Sequence, residues 1–228
     1  MSRPGPGTPP AIAIRAARAD DGRAIEAVTL AAYQQYAALM PEHWEAYRQN
    51  IVATLAMVHP AAQIVAERDG IIVGVVLLYP AGGAFSTPAG ASVALTLPEV
   101  RLLAVAPAAR RHGVGAALVQ ECARRARQSG ATALALHTTD MMRAAVRLYE
   151  RLGFRRDSGL DFEPAPGITA KGYRLALALE PAEQRLGQAG RREADDRAHV
   201  NIALTPSRRA TGAGPTAGGG RRTRPPPT

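Results

Sequence analysis

Cysteine is nearly absent: Cys122 is the only one in 228 residues. No intrachain disulfide can form, and no cluster of cysteines can hold a metal. A reducing, cytoplasmic setting fits this usage. Lysine is equally scarce. Lys171 stands alone, so 27 of the 28 lysines and arginines are arginine. With the abundant alanine, that bias reads as GC-rich coding rather than as a surface built for nucleic acid. No apolar run approaches the ~20 residues that a membrane span needs. The opening MSRPGPGTPP has no apolar core of the kind a signal peptide carries.

What remains is an apolar fraction of 46%, enough for the core of one domain with tails. Residues 1–10 read as a disordered arm, 11–180 as the domain, and 181–228 as a flexible tail rich in Arg, Gly and Pro. Nine arginines and four acids fall in that tail. It lacks the interleaved aromatics that base stacking uses, so nucleic acid is not its expected partner.

Along the domain, Ala11 to Arg15 alternates like a strand. Asp20 or Asp21 can cap a helix to about Leu39, and Pro41 suits the first turn of a second helix to about Val58, stopped by His59-Pro60. Gln63 to Glu67 and Ile71 to Tyr79 are apolar runs around Arg68-Asp69-Gly70, a strong hairpin signal. Pro80 to Ala91 reads as a loop. Ala133 to Thr138 is a buried strand, and Met141 to Leu152 is a helix stopped by Gly153. Phe154 to Arg156 and Tyr173 to Leu179 form a last strand pair, joined by a loop holding Pro164, Pro166 and Gly167. The class is mixed α/β.

The organising stretch is Glu99 to Ser129. Val100 to Val105 is an apolar strand, ended by Pro107. Arg110, Arg111, His112, Gly113, Val114 and Gly115 follow and open a helix whose apolar face carries Val114, Leu118 and Cys122 at intervals of four. The first N–H groups of a helix lack internal partners and carry the positive end of its dipole. Gly113 and Gly115 remove side chains between a ligand and that backbone, and two arginines add charge. The turn suits a phosphate or pyrophosphate. It is not a P-loop, because no lysine follows Gly115, and it lacks the three-glycine dinucleotide spacing.

Arg110-x-x-Gly113-x-Gly115, preceded by RLLAVAP and followed by an amphipathic helix, resembles the acetyl-CoA-binding motif of the GNAT superfamily of N-acetyltransferases. Ala145-x-x-Leu148-Tyr149-x-x-x-Gly153-Phe154 resembles the family's later helix, at the family's usual separation. The resemblance covers about Ile12 to Leu179. It implies a twisted, mixed but mostly antiparallel sheet flanked by helices. The sheet would splay between its fourth and fifth strands, those ending near Val105 and Thr138.

It also implies acetyl-CoA as cosubstrate and direct transfer to an amine, small-molecule or protein, in a ternary complex. Cys122 then need not be a nucleophile, and its place on the apolar helix face makes it a buried structural thiol. The cofactor would be held by the backbone of Arg110, Arg111, His112, Gly113, Val114 and Gly115, and by strand groups of Leu103 and Val105. Arg110 and Arg111 would also face the phosphates. Tyr149 stands where the family places an acid near the thioester sulfur. Glu99 and His137 are rival general bases.

Where the family often has asparagine, three residues ahead of Ala145, this chain has Met142. His137, Thr138 and Thr139 are candidates to replace that amide. The departure keeps open an alternative, a non-catalytic acyl-CoA-binding module. Tyr33, Tyr36, Trp44, Tyr47 and Phe85 are candidates to line the acceptor pocket, with Glu42 and Glu45 to attract a cationic amine. Dimers are common in the superfamily, and nothing in this chain specifies one.

Overall fold

The computed structural model describes residues 12–56, 62–86, 92–165 and 167–178. The expectations for 1–10, for His59-Pro60 and for 181–228 lie outside them. Strand β1 (Ala13–Ala16) pairs antiparallel with β2 (Ala62–Arg68), which pairs antiparallel with β3 (Ile71–Tyr79). The β2–β3 turn is Asp69-Gly70, with φ of 52° and 76°. Positive φ at both central residues matches the right-handed strand twist, the reason Asp-Gly marks such hairpins.

Between β1 and β2 lie α1 (Gly22–Tyr33), a 3₁₀ extension over Gln34–Leu39, and α2 (Trp44–Ala56). Pro41 is not the first residue of α2. The His43 amide instead bonds the Met40 carbonyl at 3.1 Å in a turn, and the helix starts at Trp44.

A small hairpin, β4 (Ala84–Ser86) with β5 (Ser92–Ala94), occupies part of the expected loop. Then come β6 (Glu99–Val105), α3 (Val114–Gln128), β7 (Ala133–Thr138), α4 (Arg143–Arg151), β8 (Arg155–Arg156), β9 (Phe162–Ala165) and β10 (Ile168–Ala176). The main sheet runs β1-β2-β3-β6-β7-β10-β8, with β9 on β10. The segment holding Pro164 is thus a strand and not a loop. It pairs on one side only, with β10, and an edge tolerates a residue that cannot donate.

The sheet is buried on both faces, so β3 reads as an almost unbroken apolar run. On one face Ile25, Tyr33 and Ile51 pack on Val65 and Val75. On the other, Val114, Leu118 and Cys122 of α3 pack on Ile64, Val76 and Leu78. Gly74 lets α3 approach: a Cβ there would lie 2.8 Å from Val114 Cγ1 and 3.0 Å from Leu118 Cδ1.

Two irregularities open the sheet. First, β6 and β7, fourth and fifth in the order, are its parallel pair, joined only at Glu99–Ala135 and Val100–Leu136. Beyond those rungs they part. Second, β6 bulges. Val75 faces Ala104 while Leu77 faces Arg101, and Leu102 sits between them at φ 47°. Holding leucine in the left-handed region costs about 1–2 kcal/mol, a strain found where a backbone is being re-aimed. The splay leaves one edge of residues 101–105 without a strand partner, and that edge lines a cavity.

Candidate active site

The cavity has a volume of about 750 Å³ and runs from the start of α3, through the splay, to the rings of α1, α2, β4 and β9. At its first end, Ala117 is the first residue of α3 whose amide bonds back, to the Gly113 carbonyl at 3.0 Å. The amides of Val114, Gly115 and Ala116 therefore have no partner within the helix, and all three residues are on the wall. Arg111 and Gly113 have φ of 64° and 79°, turning successive amides into an anion-binding concavity.

The two glycines differ in purpose. Around Gly113 there is open space, and its positive φ is the constraint. At Gly115 a Cβ would press on Leu148 Cδ2 at 3.2 Å, so its bareness holds α4 close as well as clearing the backbone. Arg110 and Arg111 both reach the wall. Yet the Arg110 guanidinium turns to the end of α1, donating to the Ala32 carbonyl at 3.0 Å and to Gln35 Oε1 at 3.2 Å. The carboxyl end of a helix attracts a cation for the same reason its start attracts an anion. His112 is exposed and off the wall.

In the middle, Leu103 and Val105 line the splayed edge opposite Thr138, Thr139 and Met142. The Thr138 and Thr139 hydroxyls are buried without a hydrogen-bond partner among the described residues. Leaving such groups unpaired costs roughly 1–3 kcal/mol each, so they mark a place where a polar ligand belongs. They stand beside Met142, the residue that replaces the family's usual amide.

At the second end, Glu99 is 2% exposed and lies against an imidazole and a guanidinium. His137 Nδ1 lies 3.1 Å from Glu99 Oε1, and Arg101 Nη1 donates to the same oxygen at 3.4 Å. His137 Nε2 donates to the Leu160 carbonyl at 2.7 Å. A carbonyl only accepts, so that nitrogen carries a proton. The other faces a carboxylate and is favoured by carrying one too. Burial is the largest influence and opposes the imidazolium, but the Glu99 contact and charge, with the Leu160 carbonyl, outweigh it and raise the His137 pKa.

Tyr149 is buried, on the wall, and tilted against Phe154 with ring centroids 5.8 Å apart. Burial pushes its hydroxyl well above the usual phenol range, so it is protonated at neutral pH. Cys122 is fully buried and off the wall, its thiol pushed up to about 12 by burial.

Tyr33, Tyr36, Tyr47 and Phe85 line this end, as their residue types suggest. Trp44 does not; it packs beside Tyr47 in the α1–α2 core. Glu42 and Glu45 are also off the wall, and Glu45 is exposed and paired with Arg48 at 2.8 Å. The attraction for a cationic amine expected of Glu42 and Glu45 therefore does not come from this wall. Sequence reading passed over Arg101 and Phe162. The signal for Arg101 was a charge inside an apolar strand, a residue type rarely buried without a partner.

Residues 29–154 match the acetyltransferase (GNAT) family. No curated protein matches this chain by sequence. Solved structures share its fold. A PaiA N-acetyltransferase from Thermoplasma acidophilum, in complex with coenzyme A, is 15% identical over 73% of this chain and 99% of its own, with a TM-score of 0.55. A GNAT-family acetyltransferase from Staphylococcus aureus is 15% identical over 74% of this chain and 100% of its own, TM-score 0.53. The ribosomal-protein-S18-alanine N-acetyltransferase of Escherichia coli is 17% identical over 75% of this chain and 97% of its own, TM-score 0.51.

Proposed function

The chain belongs to the GNAT acetyltransferase family, and from that premise we propose that it moves an acetyl group from acetyl-CoA to a primary amine, directly, within a ternary complex. The observation that carries this reading is one continuous cavity. It joins the free amides of α3, the splayed edge of β6 and the Glu99–His137 pair, with Tyr149 on its wall.

The residues fit the cosubstrate. The amides at Gly113 to Ala116 would hold its pyrophosphate, aided by Arg111. Backbone groups of Leu103 and Val105 would meet the pantetheine arm, and the unpaired Thr138 and Thr139 hydroxyls supply polar partners where Met142 offers none. When bound, acetyl-CoA supplies an acyl carbon open to attack by an amine.

The protein's own groups handle the protons. Glu99 takes one from the acceptor's ammonium, directly or through a water, leaving a nucleophilic amine. His137, engaged by Glu99 on one nitrogen and by the Leu160 carbonyl on the other, does not act as the base; it holds Glu99 in place. Tyr149, protonated at neutral pH, gives its proton to the departing thiolate and regains one from solvent after the product leaves. No acyl-enzyme is formed, consistent with the inert position of Cys122.

The alternative is a module that binds acyl-CoA without turnover, suggested by Met142. A thiol-release assay on the full chain, with acetyl-CoA and a broad panel of primary amines, separates the two. Amine-dependent release of CoA is expected. Tight acetyl-CoA binding with no release across the panel would favour the module.

A further inference from the structure

Among the described residues the cavity wall carries one acid, Glu99, against five arginines: 101, 110, 111, 147 and 151. Arg110 braces α1, and Arg111, Arg147 and Arg151 belong to the loop before α3 and to α4. Arg101 lies at the other end, on β6, beside Glu99, Tyr79 and Phe85. Its guanidinium carbon lies 3.4 Å from the Phe85 ring centroid and 5.7 Å from that of Tyr79. One face is covered by a ring, so the planar fork is held while its edge stays available for donation.

Glu99 engages only one corner of this fork: Arg101 Nη1 donates to Glu99 Oε1 over a long 3.4 Å, and the same oxygen also faces His137 Nδ1 at 3.1 Å. One carboxylate thus stands between a guanidinium and an imidazole in a wall of rings, and among the described residues no second acid lines the acceptor end to balance a second ammonium. Such a site repels a polyamine or any acceptor with a second ammonium. It complements a zwitterion, whose ammonium approaches Glu99 while its anionic end takes Arg101 in two parallel hydrogen bonds.

We infer that the acceptor is a small amino carboxylic acid, its carboxylate held by Arg101 and its body against the rings of Phe85, Phe162 and Tyr47. Arg101 is then a specificity-determining residue. The inference rests on reading this cavity as an acetyl-transfer site and deepens it by naming the substrate class.

The test uses matched acceptors: an apolar amino acid, its methyl ester and its decarboxylated amine, with the amino group moved from α to β to γ in parallel series. Two readouts are taken on the full chain. One is kcat/KM with acetyl-CoA. The other is calorimetric binding of each acceptor to the CoA-loaded protein, which reports selectivity without turnover. The carboxylate should be preferred by about 10- to 100-fold in at least one series, the usual worth of a charge-assisted pair. Arg101→Gln should collapse that ratio towards one, and Arg101→Lys should keep part of it.

Preference for the decarboxylated amine, or for polyamines, would overturn the inference while leaving acetyl transfer standing. Carboxylate-selective binding without turnover, lost in Arg101→Gln, would overturn the transferase reading, and with it the acceptor role, while leaving Arg101 as the carboxylate's partner. No selectivity in either readout, or a ratio unchanged by Arg101→Gln, would also overturn it. Should Arg101→Gln fail to fold, the matched series on the unaltered protein still decides.

Discussion

Glu99 and His137, 38 residues apart in the chain, place Oε1 and Nδ1 3.1 Å from each other across the splay between β6 and β7. Two residues that compete for one role on paper are therefore a single unit. The Leu160 carbonyl fixes the far nitrogen of the imidazole, which turns the near one towards the carboxylate. Glu99→Gln keeps the shape and removes the proton acceptor. It should lower kcat by about 10²- to 10⁴-fold with little change in acetyl-CoA affinity. Steady-state kinetics with calorimetry on the same preparation checks both halves.

The pair also ties stability to pH. The His137 pKa is raised in the folded state, so folding favours the proton. Its contribution is complete below the ordinary histidine pKa of ~6.5 and is lost as pH rises through the higher folded value. The gap in unfolding midpoint between the wild type and His137→Gln should be widest near pH ~6 and narrow above that raised value. A gap that widens towards alkaline pH would point to a neutral imidazole instead.

Tyr149→Phe removes one hydroxyl from a well-packed ring. The midpoint should move little, while kcat falls by about 10²-fold, the lower end of general acid catalysis. The loss should be smaller for an acyl donor with a more acidic thiol, which needs less help to depart. Turnover equal to that of the wild type would remove the acid role.

Gly74 couples the sheet to the start of α3. In Gly74→Ala the new methyl would meet Val114 Cγ1 at 2.8 Å and the Ala104 carbonyl at 3.3 Å. Overpacking of this kind costs about 1–3 kcal/mol, and relief must come by moving the first turn of α3. The midpoint and the acetyl-CoA affinity should fall together. A fall in the midpoint alone would show that the helix start does not depend on this contact.

Much of this fold could be read locally. The Asp69-Gly70 hairpin and the Val114-Leu118-Cys122 stripe depend on neighbours a few residues away, and periodicity carries that information. The shape of the turn before α3 was legible for the same reason, because φ at Gly113 and free amides at a helix start are local properties. What stayed hidden depends on distant partners. Arg110 meets Ala32 and Gln35 far away in the chain. Glu99 meets His137 only because two strands pair for two rungs and then part. Arg101 lost its significance beside its own neighbours and regained it over Phe85. The Phe162–Ala165 strand was masked by Pro164, whose missing donor matters only if both strand edges are paired.

The proposed function requires this cavity to bind acetyl-CoA. Thermal unfolding of the full chain, titrated with acetyl-CoA and with NAD as the control, tests it most directly. At about 100 times its dissociation constant a native-state ligand adds ~2.7 kcal/mol, roughly 5–10 °C for a domain of this size. A saturable rise of that order with acetyl-CoA, absent with NAD, is the expected result. No rise with acetyl-CoA, or an equal rise with NAD, would contradict it and leave the arginine–glycine turn as a site for some other anion.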